Sequence, residues 1–271
     1  MSSLRLLFDA LTVIYALSLM LFFVDAMRPR RLVNRTALVL LFGVFVLETA
    51  LLWQRLSALK RVPVYSSFDS LLLLSWLILL VALVVDSVFR FDLILFFANA
   101  VGFVLVVVDL FVYPRPLPYP TGSGDLLVLH VVLAVASYAA FSFAFVFAVM
   151  YLVQEWCLRQ RRWNGWYFRL GSLEHLDQLT FVGVLVGFPL LLSAMVLGVV
   201  WGELRLGRVP VQDPKIIATV VLWFMYGVYL LLRVRRGWGG RRLAWYAVVC
   251  FWGVLANLVI VGSFSWWHRS L

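Results

Sequence analysis

Met195–Arg233, MVLGVVWGELRLGRVPVQDPKIIATVVLWFMYGVYLLLR, reads as an apolar run, a short polar loop and a second apolar run. Two such runs joined by a loop place that loop on one face of a membrane. The loop and its flanks hold Trp201, Glu203, Arg205, Arg208, Asp213 and Lys215. Two histidines far away in sequence, His130 and His268, fall at a comparable depth when the remaining runs are laid out in order.

Composition decides the class. The chain is 64% hydrophobic, 16% aromatic and 13% charged, with a mean hydropathy of +1.00; soluble domains have an apolar share nearer ~45–50%. A membrane helix needs roughly 20 apolar residues. The 271 residues therefore make several spans with tight connections and leave no room for a separate soluble domain.

The spans are expected at about residues 6–27, 37–56, 71–85, 93–113, 126–153, 179–200, 216–232 and 243–264. The first lacks a small-residue cleavage site and is read as a retained helix. The third is short enough for its ends to extend into the flanking loops. Between the fourth and fifth spans, PRPLPYPTGSGD (Pro114–Asp125) holds four prolines that forbid a helix. Residues 154–178 interleave arginine with Trp156, Trp163, Trp166, Tyr167 and Phe168, which suits a cytoplasmic interfacial segment in the headgroup region. The expected fold is all-α: a polytopic integral membrane helical bundle of about eight transmembrane helices, forming one membrane domain over residues 1–271.

Loop arginine sets the orientation. With the N-terminus outside, the inner connections at 28–35, 90, 159–169 and 233–242 receive more Lys and Arg than the outer ones. Both termini are therefore expected outside. The net charge of +10 is mostly loop arginine facing anionic headgroups, so the partner is the lipid bilayer and not nucleic acid. Cys157 and Cys250 form neither a disulfide nor a thiolate metal pair, and no C-x-x-C-H is present.

The three histidines carry most of the chemical information. His130 opens the fifth span and His268 follows the eighth at the same surface. Two facing imidazoles would complete the octahedron of a heme iron; the alternative is a pair of interfacial residues bonded to water or headgroups. His175, in SLEHLDQL, reads as the first turn of a helix capped by Ser172, with Glu174 and Asp177 favoured by the helix dipole. Asp25, Glu48, Asp86 and Asp109 fall near span ends, where water is expected to reach them. Asp9 falls in the first span's outer turn. A proton or ion path through these acids is one reading of intramembrane charge. The chain contains no nucleophile with a base, no phosphate-binding glycine loop and no metal cluster, so no enzyme is expected. Gly237, Gly239 and Gly240, among arginines, are read as a flexible inner loop.

Four patches, in this order, resemble the cytochrome c assembly superfamily of heme-handling membrane proteins (the CcsA/CcmC/CcmF group), and more closely its HemX branch. They are PVYSSFDSLLLLSW (Pro63–Trp76), His130 with SYAAF (Ser137–Phe141), Gly198–Arg233 with DPK (Asp213–Lys215) and Trp223, and GWGGRRLAWYA through Asn257, Ser263 and His268. The resemblance implies non-covalent heme b, with His130 and His268 as axial ligands on the extracytoplasmic side of a bacterial plasma membrane. It makes Trp201 and Asp213 candidate surroundings of the heme. Arg205, Arg208 and Arg269 are candidate partners for the propionates, because guanidinium pairs bidentately with carboxylate. Trp266 and Trp267 anchor the last helix at the interface.

The chain also departs from the superfamily. Aligned on Asp213-Pro214, Leu206, Pro210 and Gln212 stand where the loop WGxxWxWDP has its tryptophans, Gly207 stands at its glycine, and Leu231 stands where relay members have a histidine. Those losses argue against a cytochrome c heme lyase and fit the HemX branch, which lowers the abundance of glutamyl-tRNA reductase. That enzyme, or another cytoplasmic protein at the inner loops, is the implied partner. Heme delivery in cytochrome c maturation and a non-heme structural regulator are the alternatives.

Overall fold

The computed structural model describes residues 2–59, 66–89, 93–111, 125–161, 168–207 and 212–258. Its helices are α1 (Ser2–Met27), α2 (Arg31–Leu59), α3 (Ser67–Phe89), α4 (Ile94–Phe111), α5 (Asp125–Arg159), α6 (Leu173–Leu206), α7 (Pro214–Arg236) and α8 (Arg241–Ala256). No strand occurs among the described residues. The helical membrane bundle expected from the apolar runs is the fold found, because a helix satisfies its backbone within one segment and lipid offers no other partner. Six stretches are long and apolar enough to cross a bilayer: Arg5–Met27, Arg31–Ser57, Phe68–Ser87, Asp125–Arg159, Leu173–Leu204 and Pro214–Arg236. Ile94–Leu110 is a shorter apolar helix. Large apolar side chains such as Met20, Val39, Trp53 and Phe224 lie exposed along these helices, as lipid-facing surfaces do.

The helices overrun the apolar runs that announced them. α3 extends to Ser67 and Phe89. α5 has 35 residues, about 52 Å at 1.5 Å per residue, so it continues beyond the hydrocarbon to Arg159. α6 starts at Leu173, directly after Ser172, with Glu174 in its first turn. Both ends of the 154–178 connection are therefore helical.

The chain packs as two compact units, Met1–Pro114 with Val153–Ser172, and Arg115–Leu152 with Leu173–Leu271. In the first, α1 packs along α2 and α4, and α3 along α4 and α2. Its core contains polar groups. Asp25, Glu48 and Asp109 are 3%, 0% and 1% exposed, which corrects the expectation that water reaches them at span ends. For Asp25 the reason is Arg169. Its guanidinium donates to the Asp25 carboxylate at 2.7 Å and to the Asp25 backbone carbonyl at 3.1 Å. Asn34 and the Arg30 backbone N–H complete the shell, each at 3.0 Å. Arg169 thus faces protein and not headgroups.

In the second unit α5 and α6 run antiparallel. Gly183 meets Ala144, Gly187 meets Phe141 and Gly198 meets His130, so the partners advance in opposite directions along the two helices. Small residues on α6 let the backbones approach, as membrane helices require in the absence of a hydrophobic force between them. Phe141 stacks on Tyr226 of α7 at 3.7 Å and Phe145 on Phe251 of α8 at 4.4 Å, which ties α5 to the last two helices.

The glycine-containing loop between α7 and α8 is pinned, which corrects its reading as flexible. Gly237 closes α7 in the left-handed conformation, φ 60°. Asp177 then accepts from the Gly240 N–H at 2.9 Å and pairs with Arg233 at 2.6 Å, while Arg233 also donates to the Trp238 carbonyl at 3.2 Å. Charge-assisted bonds of this kind contribute roughly 1.5–3 kcal/mol. Asp177→Ala is therefore expected to speed tryptic cleavage after Arg235 and Arg236 about tenfold or more, since cleavage follows the open population. Unchanged cutting would show that Asp177 does not hold the loop.

Candidate functional site

His130 lies in the second turn of α5 with its ring against α6. Its Nδ1 is 2.6 Å from the Ala194 carbonyl oxygen. A carbonyl can only accept, so Nδ1 carries the proton and donates. In the neutral ring that leaves the lone pair on Nε2, the arrangement by which a backbone carbonyl orients a metal-binding histidine. The Ala194 carbonyl can take this bond beside its helical one because it has two lone pairs.

Gly198, one turn further on, is what admits the ring. A Cβ at Gly198 would lie 2.7 Å from Cε1 and 2.9 Å from Nδ1 of His130. Trp201 follows at helical spacing, so residues 194, 198 and 201 share a face of α6. Trp201 is buried, and its Nε1–H has no partner among the described residues. A buried donor left open on the helix face that seats a fixed imidazole is what a site for a polar or anionic group offers.

α7 contributes its first turn. Asp213 is fully buried and is the N-cap, accepting from the Lys215 N–H at 2.9 Å, with Pro214 in the first helical position. Capping is thus the role that the structure displays for Asp213. Lys215 lies within Coulombic range of both Asp213 and His130, which makes it the described cation beside the imidazole. Asn257, buried where α8 ends, donates to the Tyr138 hydroxyl at 3.2 Å and to Thr219 Oγ1 at 3.0 Å, fastening α5, α7 and the last helix below the site. Asp213→Ala is expected to cost about 1 kcal/mol, read as a lower thermal midpoint in detergent, with Asp213→Asn close to wild type. Equal losses in both variants would mean that charge and not capping matters there.

The structure brings Lys215 to His130, and Trp201 lies on the face of α6 that carries Ala194 and Gly198. Arg205 is in the last turn of α6, its side chain outside the described residues, and Arg208, His268 and Arg269 also lie outside them. The sequence does not single out Ala194 and Gly198, and it places Lys215 in the loop but not beside the imidazole. Lys215 had a signal in the DPK triplet, whereas glycines in membrane helices are too common to stand out. His175 joins no cluster of metal-ligating side chains among the described residues. Cys157 and Cys250 are both buried thiols.

The fold and this site define a polytopic helical membrane protein holding an oriented imidazole at a helix end. The chain matches the family described as cytochrome C assembly protein over residues 64–268. It is 32% identical over 260 residues to Protein HemX of Bacillus subtilis (strain 168), covering 94% of each chain. It is 34% identical over 237 residues to Protein HemX of Brevibacillus brevis, covering 87% of each. Cytochrome c biogenesis protein CcsA of Synechococcus sp. (strain RCC307) is 29% identical over an alignment 278 residues long, gaps included, that covers 89% of this chain and 88% of that one. The chain belongs to the cytochrome c assembly protein family, as a HemX-like member.

Proposed function

We propose that the chain binds heme b non-covalently at the extracytoplasmic face of a bacterial plasma membrane, with both termini on that face, and thereby lowers glutamyl-tRNA reductase levels. The observation that carries the reading is the Nδ1–H bond from His130 to Ala194, which leaves Nε2 as the ligand atom. The surroundings fit the group: Gly198 leaves room for the ring and Trp201 offers an unused donor. His130 and His268 are the residues that would hold the heme iron. Lys215, Arg205, Arg208 and Arg269 partner the propionates, and Trp201 lies in the wall of the pocket. Asp213 contributes by holding the first turn of α7. Heme, when bound, would supply an iron centre held from the fifth and last spans.

A ligand shifts a conformational balance only through differential affinity for two arrangements. The segments that would report the liganded state to a cytoplasmic partner are residues 154–178 and the loop 233–242. The test is reductase abundance in cells whose only copy is wild type or the His130→Ala/His268→Ala double variant. The double variant is expected to behave as a deletion. Reductase lowered as far as in wild type would sink heme-linked control and leave a structural regulator. The CcsA relatives favour a second reading, heme delivery during cytochrome c biogenesis. Co-purification of apo-cytochrome with the full-length chain would support it.

A further inference from the structure

The interior of the first unit holds two carboxyl groups, Glu48 and Asp109, that have unpartnered oxygens among the described residues and no part in the proposed heme site. Glu48 stands in the middle of α2 and is fully buried. Its Oε1 accepts from Ser75 Oγ of α3 at 2.7 Å, while Oε2 has no partner among the described residues. The Ser75 hydrogen is committed to Glu48, so the Tyr15 hydroxyl of α1, 3.5 Å from Ser75 Oγ, is the donor in that contact. The chain of donation therefore runs Tyr15 to Ser75 to Glu48. Gly102 of α4 makes room for it: a Cβ there would overlap the Tyr15 hydroxyl oxygen.

Two turns along α2, about 10 Å from Glu48 at 1.5 Å per residue, Arg55 pairs with Asp69 in the first turn of α3, at 2.6 Å. Ser66 also donates to Asp69, at 2.7 Å. At this end of the unit lies the last turn of α4, with Asp109. Asp109 is 1% exposed, neither of its oxygens has a partner among the described residues, and it lies within Coulombic range of Asp69, Arg55 and Glu48. The groups facing the pair from the packed helices are thus Tyr15, Arg55, Asp69 and Ser75. Arg55 is the cation among them, and its charge is already matched by Asp69. Two further carboxylates in an apolar interior would be uncompensated. A protonated carboxyl group is neutral and gains a donor.

We propose that Glu48 and Asp109 are a proton-carrying pair inside the first unit, exchanging with solvent at the end marked by Arg55 and Asp69. Asp109, in the last turn of α4, is the outer member. Glu48 is the inner one, held by the Tyr15–Ser75 donors. Each step moves one proton between a water-borne hydronium and a carboxylate oxygen and changes no other bond. Intramembrane acids are the usual mark of ion pathways and proton relays. The proposal stands independently of heme.

Infrared spectra of the full-length protein in lipid vesicles at neutral pH test it. Carboxylic-acid carbonyl bands are expected in the wild type, one removed by Glu48→Gln and another by Asp109→Asn, and both shifting on transfer to D2O. Gly102→Ala, which displaces the Tyr15 hydroxyl, should move the Glu48 band and leave that of Asp109. Absence of the bands, or their survival in both variants, would overturn the pair. Bands that do not shift in D2O would overturn exchange. Loss of the bands in sodium chloride but not in choline chloride, at one pH, would replace the proton with a metal cation as the occupant. The wild-type measurements need no variant to fold.

Discussion

His130→Ala is expected to abolish six-coordinate heme binding in the purified protein and to weaken retention of added hemin by at least about a hundredfold, more than the 10–100-fold typical of losing a ligand's supporting partner. The imidazole is positioned and not merely present. Ala194 fixes which nitrogen is protonated, and the missing side chain of Gly198 lets the ring seat against α6. Gly198→Val leaves His130 in place and pushes its ring away. It should lower hemin affinity about 10–100-fold while the protein stays folded. If Gly198→Val binds hemin as wild type does, the ring does not ligate from this position, even if His130→Ala has an effect.

Arg169→Met is the substitution with the largest expected effect on stability. The Asp25 carboxylate is buried and accepts one bond from that guanidinium, which donates a second to the Asp25 backbone carbonyl. Removing the partner of a buried charge costs about 3–5 kcal/mol, because the remaining charge is left in a medium that cannot solvate it. Asn34 and the Arg30 N–H remain as neutral donors to Asp25, so the lower part of that range is expected. Combining Arg169→Met with Asp25→Asn should recover part of the loss. A thermal midpoint unchanged by Arg169→Met in lipid or detergent would mean that the pair is open to water. A double variant no better than the single one would mean that Arg169 acts through packing.

Those two sites show where sequence was legible. Helices were, because crossing lipid requires a long apolar run with no alternative backbone partner, and α1, α2, α5, α6 and α7 each carry one. Their ends were less so: the overrun of α5 to Arg159 runs through Gln154, Glu155 and Arg159, which break the hydropathy signal. His130 stood out by scarcity. Its supports did not, since Ala194 and Gly198 differ from their neighbours only in what packs on them, sixty-odd positions away in sequence. Glu48 was misplaced for a related reason. It lies among Phe45, Val46, Leu47 and Leu51, and only the register of α2 against α1 and α3 turns its face inward. The Asp177 latch joins residues on two different helices and a turn, a pairing that no local pattern announces.

The visible absorption spectrum of detergent-purified wild-type protein, oxidised and reduced, after reconstitution with hemin, is the most direct measurement of the central claim. A six-coordinate low-spin spectrum is expected, converted to five-coordinate in His268→Ala and lost in His130→Ala. A wild-type protein that takes up no heme, or one whose spectrum is the same in both histidine variants, would contradict the account.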